Sequence, residues 1–98
     1  MNDINSVEKL VVIRNKTGLH ARPAAIFVQI ANKYDCEITV RKAEQEVNGK
    51  SIMGILMLAA GQGQEVTIRA AGPDAAAAVE ALEKILLNNN DHELRKKK

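Results

Sequence analysis

Residues 65–87 read EVTIRAAGPDAAAAVEALEKILL and contain the two clearest structural signals in the chain. The first seven residues alternate polar and apolar side chains, which predicts a strand with Val66, Ile68 and Ala70 on one face. After the Gly72-Pro73 turn, Asp74 opens a predicted helix. Its apolar stripe consists of Ala75, Ala78, Val79, Leu82, Ile85 and Leu86. A strand and a helix that each have one apolar face are expected to pack on each other in two layers.

The rest of the chain supplies similar elements, joined by short connections. The predicted elements are a strand over 8–15 that buries Val11 and Ile13, a helix over 22–33, a hairpin of strands over 36–42 and 46–48, and a short helix over 51–60. Pro23 lies in the first turn of the longer helix, where its missing N–H is tolerated. Four strands and three helices predict a two-layer α+β sandwich with all helices on one face of the sheet. Its open face is expected to carry Thr39, Arg41, Thr67 and Arg69.

The length and charge of the chain limit which functions are possible. A chain of 98 residues with 46% hydrophobic side chains suits one domain, expected over 1–87, followed by a polar, basic and flexible tail over 88–98. Residues 91–98 account for the whole net charge of +2, so residues 1–90 are neutral. The chain has one Phe, one Tyr and no Trp, which leaves few rings to stack on bases. We therefore expect no nucleic-acid partner.

Location and redox chemistry follow from two further features. The N-terminal residues lack a basic, then apolar, leader pattern, and no apolar run reaches the roughly 20 residues of a membrane span. We therefore expect a cytoplasmic protein without membrane insertion. Cys36 is the only cysteine, which excludes an internal disulfide. It alternates with Ile38 and Val40, which favours a core position over a reactive thiol.

The stretch TGLHARPAA, residues 17–25, places His20 just before a predicted helix and Arg22 in its first turn. The unpaired N–H groups and the positive end of the helix dipole favour an anion there and disfavour a cation. They therefore favour the neutral imidazole, whose free nitrogen is nucleophilic. A phosphoryl group on His20 would meet those N–H groups and the charge of Arg22. The arrangement suits accepting and holding a phosphoryl group.

The residues alone leave other roles for His20 open. It could be a capping or surface residue. Serine-type or cysteine-type catalysis would need a second histidine as base, and only His92 in the predicted tail is present. His20, Cys36 and His92 lack the spacing of metal ligands, so we expect neither a metal nor a cofactor.

The motif TGLHARPAA followed by NGKSIMGILMLAAGQG resembles the HPr family, the histidine-containing phosphocarriers of the bacterial phosphoenolpyruvate:sugar phosphotransferase system. The likeness covers residues 8–87. It implies an open-faced sandwich of four antiparallel strands and three helices. It also implies that enzyme I phosphorylates Nδ1 of His20, that Arg22 helps to hold the phosphate, and that the phosphate passes to enzyme II A components. The chain would then be a carrier rather than an enzyme.

The resemblance also implies regulation. Ser51 matches the serine that HPr kinase/phosphorylase modifies in many members, and we expect its phosphate to lie beside the docking surface and near His20. Ile52, Met53 and Leu56, with Ala21, are expected to form an apolar docking patch, whereas Ile55 and Leu58 are expected in the core. We expect a monomer whose partners include that kinase and a transcriptional regulator.

A regulatory role is the main alternative function. In it, the chain is chiefly an interaction module, of the nitrogen branch or controlled at Ser51, that binds transcription factors or metabolic enzymes. GILMLAA resembles both the sugar and the nitrogen branch, whereas NGKSIMG favours a member controlled by a serine kinase. Which sugar is involved, if any, depends on the enzyme II partners. An RNA-binding α+β domain is disfavoured by the neutral body and the scarce aromatic residues.

Overall fold

The fold is an antiparallel sheet covered on one face by three helices. The computed structural model describes residues 6–16, 18–19 and 21–87. The elements run in the order β1 (Ser6–Val12), α1 (Ala21–Ala31), β2 (Glu37–Lys42), β3 (Gln45–Asn48), α2 (Ile52–Leu58), β4 (Glu65–Ala71) and α3 (Ala75–Leu87). The predicted α+β open-faced sandwich is confirmed.

The four strands lie in the order β1-β4-β2-β3, and every neighbouring pair is antiparallel. Val11 pairs with Val66, and Ile38 pairs with Ala70, so the apolar positions of adjacent strands share one face. These residues are at most 3% exposed. On the other face, Arg41 and Arg69 are exposed, and the two threonines beside them, Thr39 and Thr67, are half-buried. The open face predicted from the alternation is therefore confirmed.

Helix α3 covers β1 and β4 and also packs against α1. All six residues of its predicted apolar stripe are buried. The chain's one phenylalanine, Phe27 of α1, is fully buried in the same core. The side chain of Asp74 accepts a hydrogen bond from the N–H of Asp35 at 2.8 Å, so the start of α3 is tied to the loop before β2.

Strand β1 begins and ends earlier than predicted. It was expected over 8–15, but it spans Ser6–Val12. Ile13 is fully buried as predicted, and its backbone exchanges hydrogen bonds with Gly63 and Gln64 in the loop before β4. The N–H of Arg14 turns away and donates to the carbonyl of Leu86 at 2.8 Å. The strand therefore stops because its backbone turns toward α3.

Helix α2 is shorter than predicted and ends at Leu58 instead of at the GQGQ segment. Ala59 adopts a left-handed conformation with φ 51° and ψ 39°, which stops the helix. The interior Gly54 has a packing role, since a Cβ there would lie 3.2 Å from Asn48 O and from Val47 Cβ. Glycine at this position lets α2 lie close to β3.

Candidate functional site

His20 and the tail over 88–98 lie outside the described residues, but both chain neighbours of His20 are described. Leu19 is 3% exposed, and its N–H donates to the carbonyl of Ala60 at 2.8 Å. Ala21, the first residue of α1, is exposed. The chain is therefore anchored in the core immediately before His20 and lies at the surface immediately after it.

A tight turn precedes Leu19. The N–H of Gly18 donates to the carbonyl of Asn15 at 3.0 Å, and Gly18 has φ +68°. A Cβ at Gly18 would lie 2.5 Å from Ala60 O and 2.7 Å from Gly61 Cα, closer than real side chains approach. The glycine that the sequence places two residues before His20 therefore lets this loop lie directly on the 60–61 backbone.

The first turn of α1 provides charge suited to an anion. It contains no acidic residue, so its positive dipole end is not offset by a local carboxylate. The side chain of Arg22 is exposed, and within the described ranges it has no hydrogen-bond or ion-pair partner. Pro23, by contrast, is buried and fixes the start of the helix in the core. An anion held at this helix start can be met by the exposed guanidinium of Arg22.

Helices α1 and α2 pack against each other and run in opposite directions. At one end, Leu19 before α1 bonds to Ala60 after α2. At the other end, Nδ2 of Asn32 after α1 donates to the carbonyl of Lys50 before α2 at 3.3 Å. Ser51 therefore lies beside the C-terminal end of α1.

The expectation that a phosphate on Ser51 lies near His20 stays a prediction, because His20 lies outside the described residues. The eleven residues of α1 rise by about 16 Å along the helix axis. A phosphate on Ser51 is consequently separated from the start of α1 by about the length of that helix.

Ser51 is the N-cap of α2. Its backbone is extended at φ −112° and ψ 120°, and its Oγ accepts a hydrogen bond from the N–H of Gly54 at 3.1 Å. The side chain is half-buried. A carboxylate or phosphate oxygen at this position can accept the same bond, because anions are favoured at a helix N-terminus.

The exposed face of α2 carries an apolar patch. Ile52 and Leu56 are each 39% exposed and Met53 is 64% exposed, whereas Ile55 and Leu58 are buried. The predicted division between surface and core is confirmed, and the docking role of Ala21, Ile52, Met53 and Leu56 stays a prediction. Sequence reasoning missed Met57, which is also 64% exposed. Its position four residues after Met53 places both on one helix face and could have identified it.

Cys36 does not contribute a reactive group to this site. It is 8% exposed, and burial raises the pKa of its thiol. The core position predicted for it is confirmed. Across the described part of the chain, no three His, Cys, Asp or Glu side chains form a group that could hold a metal ion. No helix there combines the length and apolar character needed to cross a membrane.

Comparison with known proteins identifies the family of this chain. The family model described as "PTS HPr component phosphorylation site" matches residues 7–88. The HPr-like protein Crh of Halalkalibacterium halodurans is 51% identical over 76 residues, which cover 78% of this chain and 90% of the relative.

Solved structures of HPr proteins share the fold. A crystal structure of the phosphocarrier protein HPr from Bacillus anthracis is 48% identical, with a TM-score of 0.81 over 83% of this chain and 96% of that chain. A crystal structure of an HPr dimer from Thermoanaerobacter tengcongensis is 51% identical, with a TM-score of 0.65 over 76% of this chain and 86% of that chain. The monomer expected from the sequence therefore stays a prediction.

The family match extends over most of the chain, and the fold agrees with that of the HPr structures. The chain belongs to the HPr family, the phosphocarrier proteins of the phosphotransferase system.

Proposed function

We propose that this protein carries a phosphoryl group on His20 in the cytoplasm, accepting it from phospho-enzyme I and passing it to an enzyme II A component. Nδ1 of the neutral imidazole attacks phosphorus, a new N–P bond forms, and the bond to enzyme I breaks. Onward transfer repeats this exchange with the acceptor as nucleophile. The chain then acts as a carrier that is regenerated in each cycle.

The observation that carries this proposal is the exposed guanidinium of Arg22, which has no hydrogen-bond or ion-pair partner among the described residues. It lies two positions after His20 in a helix turn without acidic residues. Such an arrangement stabilises a dianion through a fixed charge and helix N–H groups. It is open to solvent, so the phosphate remains accessible to a second protein. These properties suit a group that must be held briefly and then given away.

The anchored loop supports the same role. Leu19 is fixed by Ala60, and the turn before it is closed by Gly18 and Asn15. Enzyme I gives the phosphoryl group to this histidine and the acceptor removes it. Both reactions require the imidazole in one defined place, because transfer depends on the alignment of the reacting atoms. A histidine that served only as a surface residue would not need such an anchor.

A second function, regulation through Ser51, is favoured by one further observation. Ser51 caps the helix whose face forms the apolar patch, so a phosphate there adds negative charge at the patch edge without removing the cap. We propose that this modification changes which partners dock, and that HPr kinase/phosphorylase and a transcriptional regulator are among them. Phosphotransfer and regulation are compatible in one chain.

A reconstituted relay tests the proposal. The protein is phosphorylated with phosphoenolpyruvate, magnesium and enzyme I, separated from enzyme I, and mixed with enzyme II A components of the same organism. We expect the phosphate to leave this protein and appear on an enzyme II A component, and the His20→Ala variant to carry none. A phosphorylated protein that gives its phosphate to no enzyme II A component would contradict the relay and leave the regulatory function as the better account.

A further inference from the structure

Asn15 is the one buried polar residue among the described residues, at 0% exposure. Its Nδ2 donates a hydrogen bond to the carbonyl of Ile85 at 3.0 Å, which joins positions 70 residues apart in the chain. Its own carbonyl accepts the N–H of Gly18 at 3.0 Å. One residue therefore connects the last turn of α3 to the turn that leads to Leu19 and His20.

The neighbouring backbone strengthens this connection. The N–H of Arg14 donates to the carbonyl of Leu86 at 2.8 Å, next to the bond made by Asn15. Because the last carbonyls of a helix have no partner within the helix, both bonds satisfy groups that would otherwise face the loop unpaired. The end of α3 is thus held together with Arg14, Asn15 and Gly18.

A fully buried amide is costly unless it is hydrogen-bonded, and an apolar side chain could fill the same space without that cost. The burial of this amide therefore favours a role for Asn15 in orienting the loop through its hydrogen bond, over simple filling of the core. The loop has two anchors with different partners. Leu19 is held by Ala60 after α2, and Asn15 is held by Ile85 of α3.

We propose that Asn15 is a positioning residue for phosphoryl transfer, which rests on the proposed function of His20. By holding the turn of Gly18 against the end of α3, it sets the direction in which the chain enters His20. In this role Asn15 acts through the backbone of the turn and not by contact with a reacting atom. Loss of its side-chain donor would weaken the link between this loop and α3, although the backbone bond from Arg14 to Leu86 remains. The imidazole would then be presented to enzyme I less often in the productive position.

Two substitutions remove the donor in different ways. Asn15→Asp keeps the size of the side chain, and Asn15→Ala adds no charge. Asn32→Asp and Asn32→Ala are matched controls, because Nδ2 of Asn32 likewise donates to backbone carbonyls, those of Val28 and Lys50, but at the far end of α1. Circular dichroism and thermal unfolding first identify which variants are folded at the assay temperature.

The decisive measurement separates kcat from KM for phosphorylation by enzyme I. Misplaced reacting groups can cost on the order of 100-fold in rate, and the remaining anchor at Leu19 limits the loss. We expect both Asn15 variants to lower kcat about tenfold and to leave KM within about twofold of wild type, because the patch on α2 is intact. The Asn32 variants should change neither value.

A second readout needs no partner protein. The chain has two histidines, so NMR signals of the imidazole rings are assigned by comparison with His20→Ala. In the Asn15 variants we expect the His20 ring signal to move and the His92 signal to stay in place. A purely structural asparagine would lower the unfolding temperature without moving the His20 signal in the folded protein.

The outcomes distinguish the two proposals. Folded Asn15 variants with the wild-type kcat and an unmoved His20 signal would contradict the role of Asn15 alone, and so would an equal loss of kcat in the Asn32 variants. A wild-type protein that accepts no phosphate on His20 would contradict the proposed function. In that case the ring signals still decide whether Asn15 positions the His20 side chain.

Discussion

The α-carbon of Gly18 lies so close to Ala60 that a Cβ on it would come within 2.5 Å of the Ala60 carbonyl oxygen. The same oxygen accepts the N–H of Leu19, the residue before His20. The loop before the proposed phosphorylation site and the chain that leaves α2 are therefore in direct backbone contact. A shift of the loop is expected to displace the chain that leaves α2, and the reverse.

Gly18→Ala should destabilise the protein strongly. Its φ of +68° costs a residue with a Cβ about 1 kcal/mol, and the clash with backbone that cannot rotate away brings the expected loss to about 3 kcal/mol. Gly63→Ala is the control, since Gly63 has φ +87° but no atom within 4 Å of its Cβ position, and only about 1 kcal/mol should be lost. Urea denaturation measures both, and equal losses would show that the contact with Ala60 is unimportant.

Arg22→Ala should slow phosphoryl transfer and leave the unfolding temperature nearly unchanged. An exposed charge adds about 0–1 kcal/mol to stability, but a fixed guanidinium next to a phosphate is expected to stabilise the phosphorylated state. Arg69→Ala, which removes an exposed arginine from the open sheet face, should leave transfer at the wild-type rate. Normal transfer by Arg22→Ala with a large loss of stability would reverse this assignment.

Substitutions at Ser51 should separate capping from charge. Ser51→Ala loses the bond to Gly54 and should cost about 1 kcal/mol, whereas Ser51→Asp and Ser51→Asn both retain a cap. Only Ser51→Asp should raise the KM for phosphorylation by enzyme I, because it adds charge beside the patch. The length of α1, about 16 Å, exceeds the screening length of about 8 Å at physiological salt, so kcat should change little. Equal KM values for Ser51→Asp and Ser51→Asn would contradict charge-based regulation.

Met53→Glu should weaken docking of enzyme I. Met53 is 64% exposed on the apolar face of α2, so a carboxylate there should raise KM about tenfold without unfolding the protein. Leu10→Glu is the matched control, because Leu10 is 60% exposed on the open sheet face. Steady-state kinetics with purified enzyme I give both values. An equal rise for the two variants would indicate a general charge effect instead of a docking patch on α2.

Periodic patterns predicted the elements well because each signal is local. The stripe of α3 and the alternation of β4 depend on residues a few positions apart, and their buried residues match the structure. The start of α2 near Ser51 was likewise predicted from the apolar run that follows this serine. Motifs that identify a family are also local signals, since TGLHARPAA and NGKSIMG are each an uninterrupted run of residues.

Features set by distant partners could not be read from local pattern. The end of β1 depends on Arg14 bonding to Leu86, and the burial of Asn15 depends on Ile85. The bond between Asn32 and Lys50 shows that α1 and α2 are antiparallel. This arrangement places Ser51 at the opposite end of α1 from its first residue. None of these pairs is close in sequence, so no periodicity reports them.

The most direct test of the proposed carrier function is to identify which residue is phosphorylated. The protein is incubated with phosphoenolpyruvate, magnesium and enzyme I, and the modified residue is identified by fragmentation mass spectrometry together with its stability in acid and base. We predict a single phosphate on His20, labile in acid and stable in base, and its loss in a folded His20→Ala variant. A phosphate on another residue, or none with any cognate enzyme I, would contradict the account.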